Sequence, residues 1–344
     1  MKIALLGLPR AGKKTLFTLL TGRSVPESRK PGDVIEGVAA IRDPRVDRLA
    51  DICLPQKTVY AENHFVLCPD VEAGGAAGRH WLDAARRCDL LCLVLRAFDS
   101  AEVYHPRGSV DPERDRRDLE AELLLADMEI AEKRLTRLEK EARAGLTAEQ
   151  KAEQQALARC MEALEANRPV RDVALDPGED AAVRSLSLVT ARPVLPAFNV
   201  SESYAAAERG AGTLTISAAI EEEVSEIEDP EERREFLASL GLASAGVDRM
   251  NAAAYDALGL MSFYTVGKDE CRAWTIRKGS PAPVAGGKIH SDIERGFIRV
   301  EVVKFDDLVA AGSEKAAKEA GKLLVKGKDY VIEDGDVCHF LFNV

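Results

Sequence analysis

Near the N-terminus, Gly7-Leu8-Pro9-Arg10-Ala11-Gly12-Lys13-Lys14 carries the GxxxxGK spacing of a loop that holds phosphate. Each residue type has a chemical reason. Glycines let successive backbone N–H groups turn toward phosphate oxygens, the following helix N-terminus adds partial positive charge, and Lys13 reaches the outer phosphates. Pro9, Arg10, Ala11, Gly12, Lys13, Lys14 and Thr15 are therefore the phosphate-binding candidates. The position after Lys13 ordinarily carries Ser or Thr, whose hydroxyl is a Mg²⁺ ligand. Here it is Lys14, and an ammonium cannot coordinate a cation, although it can neutralise phosphate. Thr15 offers a hydroxyl, but one helix position on is a rotation of about 100°, which points it at the α-phosphate rather than at a metal. A dinucleotide-binding reading fails because GxGxxG is absent from the loop.

The elements that must position this loop are a strand before it, Lys2–Leu6, and a helix after it, Lys13–Leu20. Further strands are expected at Gly37–Ile41, Val59–Leu67, Leu90–Leu95, Val194–Phe198 and Leu214–Ser217, with helical stretches such as His80–Arg87 between them. That alternation predicts an α/β fold with a mostly parallel sheet covered by helices. From Asp111 to Asn167 the chain becomes charged, helical and almost free of glycine. Leu124, Met128, Ala131, Leu135, Leu138 and Ala142 form a seam at heptad spacing, and Gly145 stops that helix. Thr147 and Gln150 then read as a capping box for a second helix, with Leu157, Cys160 or Met161, and Leu164 facing inward. A helical hairpin inserted over residues 111–192 is expected, either as a partner-binding arm or as a purely structural one. It would split a nucleotide-binding domain into residues 1–110 and 193–260.

Residues 261–344 read as a third unit. Strands are expected at Arg272–Ile276, Phe297–Val303, Tyr330–Ile332 and His339–Phe342, with a helix at Glu314–Leu324 and a turn at Asp334-Gly335-Asp336. This is the pattern of a small ubiquitin-like α+β domain. Residues 262–344 contain 13 Lys and Arg against 13 Asp and Glu, so the rest of the chain carries the whole net charge of −11. Such a charge argues against a generic electrostatic nucleic-acid binder. No apolar run reaches the roughly 18 residues of a membrane span, and MKIALLGLP is too short for a signal peptide, so a cytoplasmic protein is expected. The 7 cysteines form no CxxC pair and the 5 histidines are dispersed, which reads as reduced thiols and no zinc site.

The whole chain, from Met1 to Val344, resembles the YchF or Obg-like ATPase family. GLPRAGKKTLF, DPRVDRLADICLPQKT, RAWTIRKGSPAPVAGGKIHSDIERGFIR and GKDYVIEDGDVCHFLFNV carry the resemblance. It implies a Ras-like P-loop NTPase domain, an inserted helical domain, a C-terminal TGS domain, ATP preferred to GTP, and a link to ribosomes and translation. GTPases read guanine with NKxD, whose Asp accepts from the ring N–H and amino group. Here Val194–Phe198 leads into Asn199-Val200-Ser201-Glu202, similar to the family's NxxE. The resemblance implies base contacts by Asn199, Val200 and Glu202, with Asn199 on the purine N7 and amino edge. Ser217 and Ala218, in Ser217-Ala218-Ala219, resemble the remaining base-side loop.

The phosphate side departs from the family. Where DxxG would follow Phe65-Val66, this chain has Leu67-Cys68-Pro69-Asp70, with Asp70 in the Gly position and a shortened switch segment after it. Val34 stands where the first switch would carry a metal-binding Thr. Three positions serving one ion are changed together while the base side survives. That pattern puts Mg²⁺ in doubt, names no metal ligand or catalytic residue, and leaves nucleotide binding intact. The expected function is a monomeric purine-nucleotide-binding switch that takes ATP, or GTP less well, with slow or no hydrolysis. A working ATPase with an altered metal arrangement, and a nucleotide-independent scaffold whose hairpin and TGS-like domain bind ribosome or RNA, are the alternatives.

Overall fold

The computed structural model describes residues 1–343 except 27, 29, 31, 72–78 and 203–211. In chain order the described residues begin with β1 (Lys2–Leu6), α1 (Lys13–Thr21), β2 (Ile35–Ile41), α2 (Pro44–Cys53), β3 (Lys57–Val59) and β4 (Ala61–Leu67). Then come α3 (Leu82–Ala85), β5 (Leu90–Ala97), α4 (Pro112–Glu141), α5 (Ala148–Glu165), α6 (Pro177–Val183), β6 (Val194–Val200) and β7 (Leu214–Ile216). Helices α7 (Ala218–Glu226), α8 (Pro230–Ser239) and α9 (Gly246–Ala257) lead to β8 (Leu260–Val266) and β9 (Glu270–Arg277). The C-terminal part adds α10 (Ala282–Ile289), α11 (Ser291–Arg295), β10 (Phe297–Lys304), α12 (Phe305–Ala311), α13 (Glu314–Glu319), β11 (Leu324–Lys326) and β12 (Asp336–Phe342).

Two compact units result, one holding Met1–Ala39 and His64–Ala254, the other Ala40–Asn63 and Tyr255–Val344. The first is built on a six-stranded sheet in the order β2-β4-β1-β5-β6-β7. β1 pairs in parallel with β4 and β5, β5 with β6, and β6 with β7, as the alternation of elements predicts. The β5 segment Leu90–Leu95 is buried throughout, because a parallel strand inside such a sheet is covered on both faces. Trp81, Leu91, Leu93, Leu119, Leu123 and Phe198 share one core cluster, each such side chain contributing about 1.5–3 kcal/mol by leaving water.

The inserted hairpin is present, with different limits from those expected. The first half of α4 packs Leu119, Leu123 and Ala126 into the core of the sheet unit, so the insertion proper begins above them. Beyond, Ala131, Leu135 and Leu138 run along α4, and Ala131 and Leu135 share a cluster with Leu157, Cys160 and Leu164 of α5. Ala142 is exposed rather than in the seam, since the helix has already tightened into a 3₁₀ turn ahead of Gly145. The Thr147–Gln150 capping box forms in both directions. Asp127, fully buried, accepts hydrogen bonds from the Val189 and Thr190 N–H groups and the Thr190 hydroxyl, which anchors the returning chain.

The second unit is a sheet in the order β11-β10-β12-β8-β9-β3. Residues 40–63 were expected in the nucleotide-binding domain, but they lie in this unit, and the reason is pairing. The single strand expected over Val59–Leu67 is broken at Tyr60. Its first part, β3, pairs with β9, while β4 pairs with β1. Helix α2 buries Val46 and Leu49 in a cluster with Tyr264 and Ala273. The opposite cluster gathers Ala282 and Ala285 of α10 with Phe263, Ile293 and Phe340. The expected helix Glu314–Leu324 stops at Glu319, since Gly321 takes a left-handed φ of 70° and the chain then re-enters the sheet as β11. Tyr330–Ile332 is no strand; it makes an isolated bridge from Val331 to Pro281.

The Asp43-Pro44-Arg45 start of the quoted DPRVDRL stretch has a structural reason. Asp43 caps α2 by accepting from the Arg45 N–H, Pro44 opens the helix, and the Tyr264 hydroxyl donates to the same carboxylate. The Arg45 guanidinium grips Asp43 and reaches Asp334 at 2.6 Å.

Candidate functional site

The chain leaves β1 through Gly7, whose backbone lies so close to β5 that a Cβ there would stand 2.5 Å from the Val94 carbonyl oxygen. The loop then takes a left-handed residue at Arg10, φ 63°, and again at Gly12, φ 93°. No side chain caps the N-terminus of α1 and no acidic residue sits in its first turn. The partial positive charge of that turn therefore faces no protein anion of its own helix.

A cavity of about 450 Å³ opens at this loop, lined by Pro9, Arg10, Gly12, Lys13, Lys14 and Thr15 together with Leu67, Asp70, Phe98 and Val103. Six of the seven expected phosphate-side residues thus converge. The seventh, Ala11, is buried and presents its carbonyl to the Asn199 amide. Lys13 is only 4% exposed, and its ammonium donates to the carbonyls of Gly7 (2.8 Å) and Leu8 (2.6 Å) and pairs with Asp70 (2.7 Å). Lys14 and Thr15 are exposed.

Asn199 joins the loops. Its Nδ2 donates to the Ala11 carbonyl at 3.2 Å, and its Oδ1 accepts from the Ala218 N–H at 3.1 Å. A Cβ at Gly12 would fall 2.2 Å from that Nδ2, so only glycine allows the approach. A primary amide has two N–H donors, and this arrangement uses one. Ser217 caps α7, its hydroxyl accepting from the Ile220 N–H. Two base-side expectations fare differently. The Val200 side chain is buried in the core cluster with Leu95 and Phe198, so only its backbone remains for a base. Glu202 is exposed, and none of Asn199, Val200, Glu202, Ser217 and Ala218 is among the described residues that line the cavity.

Phe98 and Val103 were not foreseen as lining residues. They sit on the loop after β5, which runs two residues past the expected end at Leu95. Arg96, buried at 2% exposure, donates to the carbonyls of Phe98 (3.1 Å) and Val103 (2.8 Å) and stacks on the Phe98 ring. An arginine closing an otherwise apolar strand was the available signal. His105 fastens the same loop to α4. Its Nδ1 accepts from the Arg107 N–H, so its Nε2 donates to Asp115, at 2.9 Å.

The donor set does not fit the Mg²⁺ that the loop pattern implies. Lys14 replaces the hydroxyl, fully buried Leu67 replaces the carboxylate, and Asp70, the one carboxylate among the described residues that line the cavity, is bound to Lys13. Val34 is exposed and offers no oxygen ligand from its side chain. Residues 72–78 of the altered switch segment lie outside the described residues.

Among known proteins, residues 260–343 match the family model YchF-GTPase_C, described as a protein of unknown function (DUF933). The chain is 38% identical over 363 residues to the ribosome-binding ATPase YchF of Bacillus subtilis (strain 168), covering 99% of this chain and 98% of that one. It is 34% identical over 366 residues to Obg-like ATPase 1 of Oryza sativa subsp. japonica, covering 100% of this chain and 92% of that one. Its structure is similar to that of the Schizosaccharomyces pombe YchF GTPase, with a TM-score of 0.82, 32% identity, and coverage of 99% of this chain and 97% of the other.

Proposed function

The chain belongs to the YchF family, and from that premise we propose that it is a purine-nucleotide-binding switch protein, taking ATP in preference to GTP, that hydrolyses it slowly or not at all. The observation that carries the reading is the convergence of Lys13, Lys14 and Thr15 on one cavity whose loop is tied by Asn199 to the base-side segment. The remaining N–H of the Asn199 amide suits a purine N7. Glu202 is exposed, and no aspartate stands at its position to accept from guanine. Hydrolysis needs developing charge to be stabilised and a water to be positioned, and the described residues that line the cavity supply two ammonium groups but no unengaged carboxylate to orient water. ATP binding is accordingly expected without a divalent cation.

The printed name of the Bacillus subtilis relative attaches it to the ribosome and to ATP. We carry this over as a proposal: a cytoplasmic monomer that engages the ribosome through its helical hairpin and its C-terminal sheet, the latter as a TGS-type domain. Calorimetric titration of ATP and GTP, with Mg²⁺ and with EDTA, alongside a turnover assay, tests the reading. Binding without appreciable turnover supports it, family-type turnover selects a working ATPase, and absence of binding selects a nucleotide-independent scaffold.

A further inference from the structure

Lys13 is satisfied from inside the protein. An ammonium has three hydrogens, and among the described residues the carbonyls of Gly7 and Leu8 and the carboxylate of Asp70 meet it. The carbonyls belong to the loop that a phosphate would rest on. Asp70 is the exchangeable partner, 45% exposed and lining the same cavity. Its placement is built into the backbone. The Cys68 N–H donates to the Leu5 carbonyl and the Val71 N–H to the Gly7 carbonyl, and the Val71 side chain is buried in the core. The segment after β4 is thus stitched along β1 and the loop on both sides of residue 70, which delivers the carboxylate to Lys13.

A carboxylate oxygen and a phosphate oxygen ask the same thing of an ammonium, a short charge-assisted hydrogen bond. Sharing Lys13 would bring two anions into contact. We infer that Asp70 is an internal competitor for polyphosphate: it neutralises Lys13 when no polyphosphate is bound, and a polyphosphate must displace it to bind. This rests on the nucleotide reading above and specifies how that site is regulated. It also inverts the sense of the switch. A glycine at position 70 would be drawn to the outer phosphate through its N–H, whereas Asp70 and the phosphate repel. Occupancy of the cavity therefore turns the half-exposed Asp70 carboxylate away from Lys13.

The test is calorimetric titration of the full chain with ATP, and with inorganic tripolyphosphate, in EDTA. The proteins are wild type, Asp70→Asn, Lys13→Ala and the double variant, each checked for an unchanged melting transition. Asp70→Asn keeps the size of a half-exposed side chain, so folding is preserved. It is expected to tighten both ligands about fivefold, the upper range for a partly exposed ion pair, and binding that becomes measurable only in Asp70→Asn supports the competition equally. The gain should shrink in the Lys13→Ala background, where the carboxylate has no ammonium to release. An equal gain there would mean general charge repulsion and overturn the competition. Unchanged or weaker binding by Asp70→Asn, with wild type binding ATP, overturns it and leaves the nucleotide reading standing. Failure of every variant to bind either ligand overturns both.

Discussion

The side-chain amide of Asn199 stands 3.2 Å from the carbonyl of Ala11 and so ties the end of β6 to a loop 188 residues earlier in the chain. With its other end held by the Ala218 N–H, this one side chain links the loop after β1 to the start of α7. Asn199→Ala leaves two buried backbone groups without their partner, each costing about 1–3 kcal/mol. Urea unfolding should show a loss of that order, and ATP affinity should fall with it. A variant as stable as wild type would show that the two loops are positioned by other means.

Lys13→Ala should remove most triphosphate affinity, since a charge-assisted contact is worth about 1.5–3 kcal/mol. Titration with ATP reads this directly. If affinity is retained, Lys14 has taken over the charge or the loop no longer holds phosphate.

Addition of EDTA should change ATP affinity little, because the side-chain ligands of Mg²⁺ are replaced by Lys14 and Leu67. Lys14→Ser alone should not raise turnover, as Leu67 would remain. Strongly Mg²⁺-dependent hydrolysis that disappears in Lys13→Ala would refute this.

In a competition assay ATP should bind at least several-fold tighter than GTP, since the residue three after Asn199 is glutamate. Equal or better displacement by GTP would sink the base reading.

The second unit should lose stability on the acid side through Asp43. Burial alone would raise its pKa, but the hydrogen bonds from Arg45 and Tyr264 outweigh burial and hold it below the ordinary 3.8. A depressed carboxyl contributes stability above its unfolded pKa and loses it as pH falls through the folded value, so the loss sets in below about pH 5. Asp43→Asn should cost about 1–3 kcal/mol at neutral pH, and the gap from wild type should close as acid is added. Denaturant midpoints measured across that range check the sign, and a gap that widens in acid would contradict it.

The loop after β1 was legible in the sequence because it is local. GxxxxGK specifies glycines where the backbone must turn and a lysine one residue into a helix, and those residues are contiguous, so the loop they predict is the loop that forms. The hairpin was legible for a similar reason, the heptad spacing of its apolar seam. The capping box at Thr147 read correctly because its partners lie within one turn.

What lay outside that reach was set by contacts distant in sequence. No property of Lys57–Val59 alone marks it as the partner of β9, and a run from Val59 to Leu67 reads as one strand until the hydrogen-bonding neighbours divide it. Val200 looks like a base-side residue by its place in the tetrapeptide, yet β pleating turns its side chain into the core. Asp70 reads as a defect in a glycine position. Only the folded chain, with residues 68 to 71 bonded along β1 and the loop, brings its carboxylate to Lys13. Residue types and short spacings thus determined which chemistry was available, because backbone conformation and charge are properties of neighbouring residues. Which groups meet was decided by the sheet register and core packing, because these are the contacts that bring together residues far apart along the chain.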